Sequence, residues 1–138
     1  MAFPEIESCL ICEDVRPEQN NKLSILGFFG ISPTAQILVG DITKPIQQLT
    51  FMLITGKGEG TFRVSFELKD EKGKALLTTP ESEFKLPTPA QRNNWMIGLH
   101  LPAFQEEGFY YFVLRVDGKE SYKAKFEVKQ GTPDDLKK

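Results

Sequence analysis

The chain has 138 residues, enough for one self-sufficient hydrophobic core, so neither a disulfide nor a metal is needed to hold it together. Hydrophobic residues make up 40% and charged residues 26%, the balance of a globular protein. A net charge of −2, with basic and acidic residues interspersed as in Lys69, Asp70, Glu71 and Lys72, argues against the basic patch of a nucleic-acid binder.

No apolar stretch approaches the ~20 residues that span a bilayer, and the first nine residues have neither a basic start nor an apolar run of signal length. The expectation is a cytoplasmic protein with no membrane partner. Eleven Phe, three Tyr and one Trp, set among nine Pro and eleven Gly, favour short strands parted by turns.

In chain order, residues 6–12 and 23–29 read as a strand pair joined by a polar loop over 13–22. Ser32-Pro33 is a plausible helix start, yet Ile37, Leu38 and Val39 suit a short strand equally well, so 34–40 stays open between helix and strand. Residues 48–55 put Leu49, Phe51 and Leu53 on one side and turn through the glycines at 56, 58 and 60. The segment 61–69 alternates cleanly, Phe62, Val64, Phe66 and Leu68 against Arg63, Ser65, Glu67 and Lys69. A turn at 70–73 leads to a short strand at 75–78, and strands at 83–86 and 94–101 follow on either side of Pro87 and Pro89. The last two strands, 109–116 and 121–129, are joined by Asp117-Gly118, a strong hairpin signal between alternating runs.

Strands with one dry and one wet face belong to antiparallel sheets packed face to face. The predicted fold is therefore all-β: an antiparallel β-sandwich of about 8–9 strands, Ig-like or Greek-key, forming a single domain over 1–130 with a flexible tail at 131–138. Glu106-Glu107-Gly108-Phe109-Tyr110 supports it, because an acid, a Gly and a Tyr at alternate positions before a strand have the spacing of a tyrosine corner.

The segment Cys9-Leu10-Ile11-Cys12-Glu13-Asp14-Val15-Arg16, with Asn21-Lys22-Leu23-Ser24-Ile25-Leu26-Gly27, resembles the opening of an uncharacterised bacterial family of small β-sandwich proteins, a domain of unknown function. The resemblance lies mainly over 9–27. It implies a sandwich and brings no catalytic residues with it. Asp14 and Arg16 are expected to pair across the mouth of the 13–22 loop and fix its start.

The residues capable of chemistry do not assemble into a site. Cys9 and Cys12 have C-x-x-C spacing, but three strand steps separate their Cα atoms by roughly 10 Å and turn the thiols to opposite faces. No second Cys pair completes a zinc site. His100, the only histidine, has no nucleophile or carboxylate nearby in sequence. The glycines at 56–60 join strands and lack the spacing of a phosphate loop. Glu13, Asp14 and Glu18 share a loop with Arg16 and Lys22 and lack the Gly bend of a calcium loop. Glu81 and Glu83 have no evident carboxylate partner for glycoside chemistry. No cofactor and no enzymatic activity are expected.

Two surfaces attract interest. If Tyr110, Phe112, Leu114 and Val116 fill the core, then Phe109, Tyr111, Val113 and Arg115 face outward. An apolar outer stripe calls for a cover, either a loop of the same chain near 102–104 or 34–40, or a second subunit or other protein. Arg92, Asn93, Asn94 and Trp95 sit beside a Pro-rich loop and offer a flat ring with polar neighbours, a candidate small-ligand or carbohydrate site. The functional expectation is a non-catalytic protein-interaction or self-associating module, homodimeric or bound to another protein; the alternative is a ligand-binding sandwich.

Overall fold

In the computed structural model, described for residues 5–56, 60–86 and 93–131, ten strands form two facing sheets. They are β1 (Ile6–Pro17), β2 (Leu23–Ile31), β3 (Gln36–Val39), β4 (Ile46–Thr55), β5 (Gly60–Asp70), β6 (Ala75–Thr78), β7 (Ser82–Leu86), β8 (Asn93–Leu101), β9 (Gly108–Val116) and β10 (Lys119–Gln130). One sheet has the order β2-β1-β4-β8. The other has the order β3-β10-β9-β5-β6, with β7 also pairing with β5. The all-β sandwich expected from the two-residue rhythm is the observed fold, with all pairs antiparallel except β3 beside β10.

The core lies between the sheets and is strongly aromatic. Phe51 of the four-stranded sheet stacks on Phe112 of the other at 4.1 Å, and Phe112 stacks on Phe66 at 5.3 Å. Cys9, Ile11, Leu49, Leu53 and Ile97 come from one sheet, and Phe62, Val64, Leu68, Leu114, Ala124, Phe126 and Val128 from the other. These are the alternate positions of each strand, so the pattern along the chain and the layer in space are the same fact.

Several local readings change. The segment 34–40 resolves to strand: β3 pairs in parallel with residues 127–130, burying Ile37. The polar loop over 13–22 is much shorter than its polarity suggests. Residues 14–17 remain in ladder with 23–26, and the chain reverses over Glu18–Lys22, where Glu18 N–H donates to the Lys22 carbonyl at 2.7 Å. Strand pairing needs backbone, and the polar side chains here lie at the open end of the sheet. The glycine turn at 56–60 joins strands of different sheets, so β4 and β5 form a crossover and not a hairpin. The hairpin at Asp117-Gly118 forms as expected, with φ of 51° and 82° at the two turn residues. Of the tail expected over 131–138, Gly131 is held by its N–H to the Val39 carbonyl at 2.9 Å, and the rest lies outside the described residues.

The crossover from β8 to β9 is held by Tyr110. Its hydroxyl donates to the Glu106 carbonyl at 2.6 Å and lies 3.2 Å from that of Phe104, while the ring packs edge-on against Phe104. This is the pinning the Glu-Gly-Tyr spacing predicts. Burial, then the charge of Glu106, pushes the phenol's pKa up, so it stays a donor throughout the physiological range. Tyr110→Phe is expected to cost about 1 kcal/mol or more, read as a lowered Tm; an unchanged melt would remove the hydroxyl from the account.

Candidate functional site

The two sheets present opposite kinds of outer face. On the six-stranded sheet, Phe109, Tyr111, Val113 and Arg115 do point outward, as expected of β9. Charged side chains of the flanking strands cover much of this stripe, while Phe109 stays 36% exposed. In the ladder Val113 lies between Glu67 of β5 and Lys123 of β10, and it is 0% exposed. Lys123 Nζ sits over the Tyr111 ring at 4.3 Å, and Lys125 Nζ over Phe109 at 4.2 Å. Arg115 bonds Glu67 through its Nε, and Lys69 Nζ is 3.7 Å from the same carboxylate. Long charged side chains from the flanking strands lay their stems over the apolar stripe and keep their heads in water. The segment 102–104 is not the cover: Phe104 is buried in the core against Tyr110 and Phe126.

Glu67 is the hub of that charged lattice. The hydrogen bond from Arg115 lowers its carboxyl pKa below the ordinary 4.5; burial opposes this, and the charges of Arg115 and Lys69 add to the lowering. A carboxyl whose folded value lies below its unfolded value contributes stability that is full above the unfolded pKa and is lost as pH falls through the folded one. The Tm is therefore expected to fall as pH drops below about 4.5, with a shallower fall in Glu67→Gln. Identical slopes in the two proteins would exclude Glu67 as a contributor.

The outer face of the four-stranded sheet is of another character. The register sets its side chains in rows across the strands. Ile31 of β2, Leu10 of β1, Met52 of β4 and Met96 of β8 make one row. Phe28, Cys12, Thr50 and Gly98 make the next. Leu26 and Asp14 continue it, with Gln48 donating to Asp14 Oδ1 at 3.0 Å. On the other side lie Ser8, Ile54 and Asn94. Phe28 is 54% exposed, Ile31 46%, Met96 40% and Leu26 38%. Charge on this face is gathered at one end, where Arg16 pairs with Asp14, and the nine residues of β2 contain no charge at all. Sequence reasoning passed over this face, although the signal was present. Apolar residues stand on both sides of β9, and β2 and the Phe51-Met52-Leu53-Ile54 run of β4 show the same feature.

The other candidates separate in space. Asp14 and Arg16 pair, with Nε to Oδ2 at 3.4 Å, but they do so along one face of β1 and not across a loop, and both are well exposed. Asp14 is more firmly held by Gln48 and by the Val15 N–H at 2.9 Å. Trp95 points into the sandwich, stacked on Phe84 at 3.9 Å and edge-on to Phe66 at 5.3 Å. Asn94 is exposed and, by strand alternation, lies on the opposite face, so ring and amide do not converge. Arg92 and the Asn93 side chain lie outside the described residues. His100 is exposed on the outer face beyond Gly98.

The cysteines behave as expected of strand thiols. Both are free and buried; Cys9 joins the core, and Cys12 lies in the outer row beside Phe28. Burial, with the charge of Cys12 adding, pushes the Cys9 thiol up to about 12, and burial followed by the charge of Asp14 raises Cys12. Neither is a reactive thiolate at neutral pH. A thiol reagent at pH 8 is expected to leave the folded protein unlabelled and to titrate both cysteines after denaturation; rapid labelling of the native state would contradict that burial. Among the described residues no group of three or more His, Cys, Asp or Glu is placed to hold a metal ion.

A cleft of about 380 Å³ opens between the sheets, walled by Phe29, Ile37, Val39, Ile46 and Leu49, with Glu13, Asp14 and Gln48 also lining it.

No curated protein matches the chain. Among solved structures, the Pseudomonas fluorescens alkylpurine DNA glycosylase AlkC, bound to DNA containing an abasic site analog, is similar at 17% identity and a TM-score of 0.38, over 68% of this chain and 27% of that one. The chain thus spans about a quarter of that protein's length, and so remote a likeness carries no argument about activity. The sequence profile of a family of unknown function matches residues 7–129, which is nearly the whole sandwich, and the chain belongs to that family, DUF6941.

Proposed function

We propose that the protein is a non-catalytic interaction module of Ig-like architecture whose contact surface is the outer face of the four-stranded sheet. The observation that carries this reading is the contrast between the two outer faces. On one sheet charged side chains lie over the apolar stripe and leave only part of it open, Phe109 at 36%, whereas the other leaves Phe28, Ile31, Met96 and Leu26 open in adjoining rows. A contiguous apolar surface is costly to leave in water and marks a binding site when it recurs across several strands. The dispersed titratable groups support the absence of catalysis, since an acid–base pair must share a site to act. We take the compartment to be the cytoplasm; two free buried thiols are what supports it.

The test is a photo-crosslinking residue placed at position 28 and, as a control, at position 109 on the other outer face. One adduct of defined mass from position 28 and none from position 109 is expected. No adduct from position 28 would sink the reading.

A second reading, a small-ligand sandwich, is favoured by the inter-sheet cleft, whose volume of about 380 Å³ falls in the range of ligand pockets. Its apolar walls, with Glu13 at their margin, suit a compact apolar molecule with a cationic end. Raised Tm with such amines, abolished in Val39→Trp, would support it; an unmoved melt across the set would end it.

A further inference from the structure

We propose that the outer face of the four-stranded sheet packs on the same face of a second copy, giving a two-fold symmetric dimer in which Phe28 of each copy enters the hollow over Gly98 of the other. The proposal rests on the interaction reading above and names its partner. It stands on how the rows change in height and polarity from one edge of the sheet to the other.

The row Phe28, Cys12, Thr50, Gly98 begins with a tall, exposed ring on β2 and ends with no side chain on β8. Cys12 and Thr50, between them, are short and buried. A Cβ built on Gly98 would meet only Thr50 Oγ1, at 3.8 Å, so the space above that position is open. Met96 and His100, two residues to either side on the same face of β8, wall the hollow. Knob and hollow sit on opposite edges of the sheet, three strand spacings or ~14 Å apart.

A two-fold axis parallel to the strands, midway between β1 and β4, reverses each row onto itself. Phe28 then lies over the partner copy's hollow, against a methionine thioether, a favourable neighbour for an aromatic ring. The same operation sets Ile31 over Met96 and Leu10 over Met52, apolar on apolar at every position of that row. In the next row Asp14 faces the opposing Gln48, so the carboxylate meets an amide and not its own copy. Arg16, paired with Asp14 on the same strand, likewise faces β4 of the second copy and not its own like charge.

The area is sufficient. Four strands about 4.8 Å apart and four rows about 6.8 Å apart make a face of roughly 19 by 27 Å. Two such faces bury on the order of 1,000 Å², the lower bound for a biological interface and the size of a reversible dimer. Pairing through the free edge of β2 is the rival geometry. That edge is bent by positive φ at Gly27 and Gly30 and by the register shift opposite Cys12, features that interrupt a ladder and protect an edge.

The experiment is light scattering on size-exclusion fractions of the whole chain over ~1–100 μM, the span in which interfaces of this size dissociate. Wild type is expected at the mass of two chains, twice 15.6 kDa, at the upper end. Phe28→Lys removes the knob and Gly98→Leu fills the hollow. Each is expected to keep the native circular dichroism spectrum and to raise the dimer Kd by about tenfold or more. Arg115→Ala, on the other sheet, is expected to leave it unchanged. A mass of one chain throughout overturns the dimer, and so does a dimer that both variants leave intact. Crosslinking from position 28 then separates the two ideas: an adduct with a different protein retains the interaction face and removes the self-association, whereas no adduct removes both.

Discussion

Phe112→Ala is expected to cost about 3–5 kcal/mol, the upper end for a side-chain truncation in a core. Phe112 is one of the rings through which the two sheets meet. It stacks on Phe51 across the interlayer space at 4.1 Å and on Phe66 within its own sheet at 5.3 Å, and it is 1% exposed. Truncation removes its transfer free energy and leaves a hole between two rings that cannot close without moving a strand. Against a total stability of about 5–15 kcal/mol for a domain of this size, the loss should bring the variant near its unfolding transition at physiological temperature. Phe112→Leu keeps most of the volume and forfeits mainly the stacking, about 0.5–1.5 kcal/mol. Urea unfolding of the three proteins is the measurement. A Phe112→Ala midpoint within error of wild type would mean that the aromatic layer does not hold the sheets together.

That layer was legible because it follows from alternation alone. Phe62, Val64, Phe66 and Leu68, or Tyr122, Ala124, Phe126 and Val128, can meet a common core in one way only, and the register then places Phe112 among them. The Asp117-Gly118 hairpin and the Tyr110 pin were legible for the same reason: both are local chemistry, set by residues within a few positions of one another. Long-range facts were not. Nothing near Ile37 says that residues 36–39 will find the C-terminal strand in parallel, ninety positions away. Nothing in the glycines at 56–60 distinguishes a hairpin from a step between layers. The polarity of 13–17 argued for a loop, yet the backbone there pairs regardless of its side chains.

The candidate site shows the same division. An outward apolar stripe on β9 was readable, but whether it is bare depends on β5 and β10, which supply Glu67, Lys69, Lys123 and Lys125 at the flanking positions. Lysine side chains and an arginine–glutamate pair lie over the stripe, leaving Phe109 partly open. The bare face had to wait for the order β2-β1-β4-β8, because only that order brings Phe28, Leu10, Met52 and Met96 into adjoining rows. Counting apolar residues strand by strand finds candidates; the lateral neighbours decide which of them remain exposed.

Gly30→Ala is expected to cost about 2–4 kcal/mol, more than a glycine-to-alanine change in any turn of this chain with open space around it. Gly30 has φ of 133°, a conformation that L side chains rarely adopt, and a Cβ there would lie 2.9 Å from the Ala35 Cα and 3.4 Å from its Cβ. The obstacle is backbone, which cannot rotate aside. The contact matters because Ala35 begins the passage into β3: its carbonyl accepts the Glu127 N–H at 3.0 Å, and Ser32 bonds back to the Cys9 carbonyl at 2.9 Å and to that of Lys125 at 3.0 Å. The segment 30–36 therefore ties both sheets at one corner, and displacing it loosens β3 as well as the end of β2. Gly73→Ala is the control. It has φ of 85° but no atom within 4 Å of the new Cβ, so it should pay for backbone strain alone, about 1 kcal/mol. If the two variants melt together, the close approach at Ala35 contributes nothing beyond strain, and the corner is softer than its geometry implies. If Gly30→Ala is the weaker by the expected margin, amide exchange should be fastest in residues 36–39 and 127–130, the pair that this corner delivers to one another.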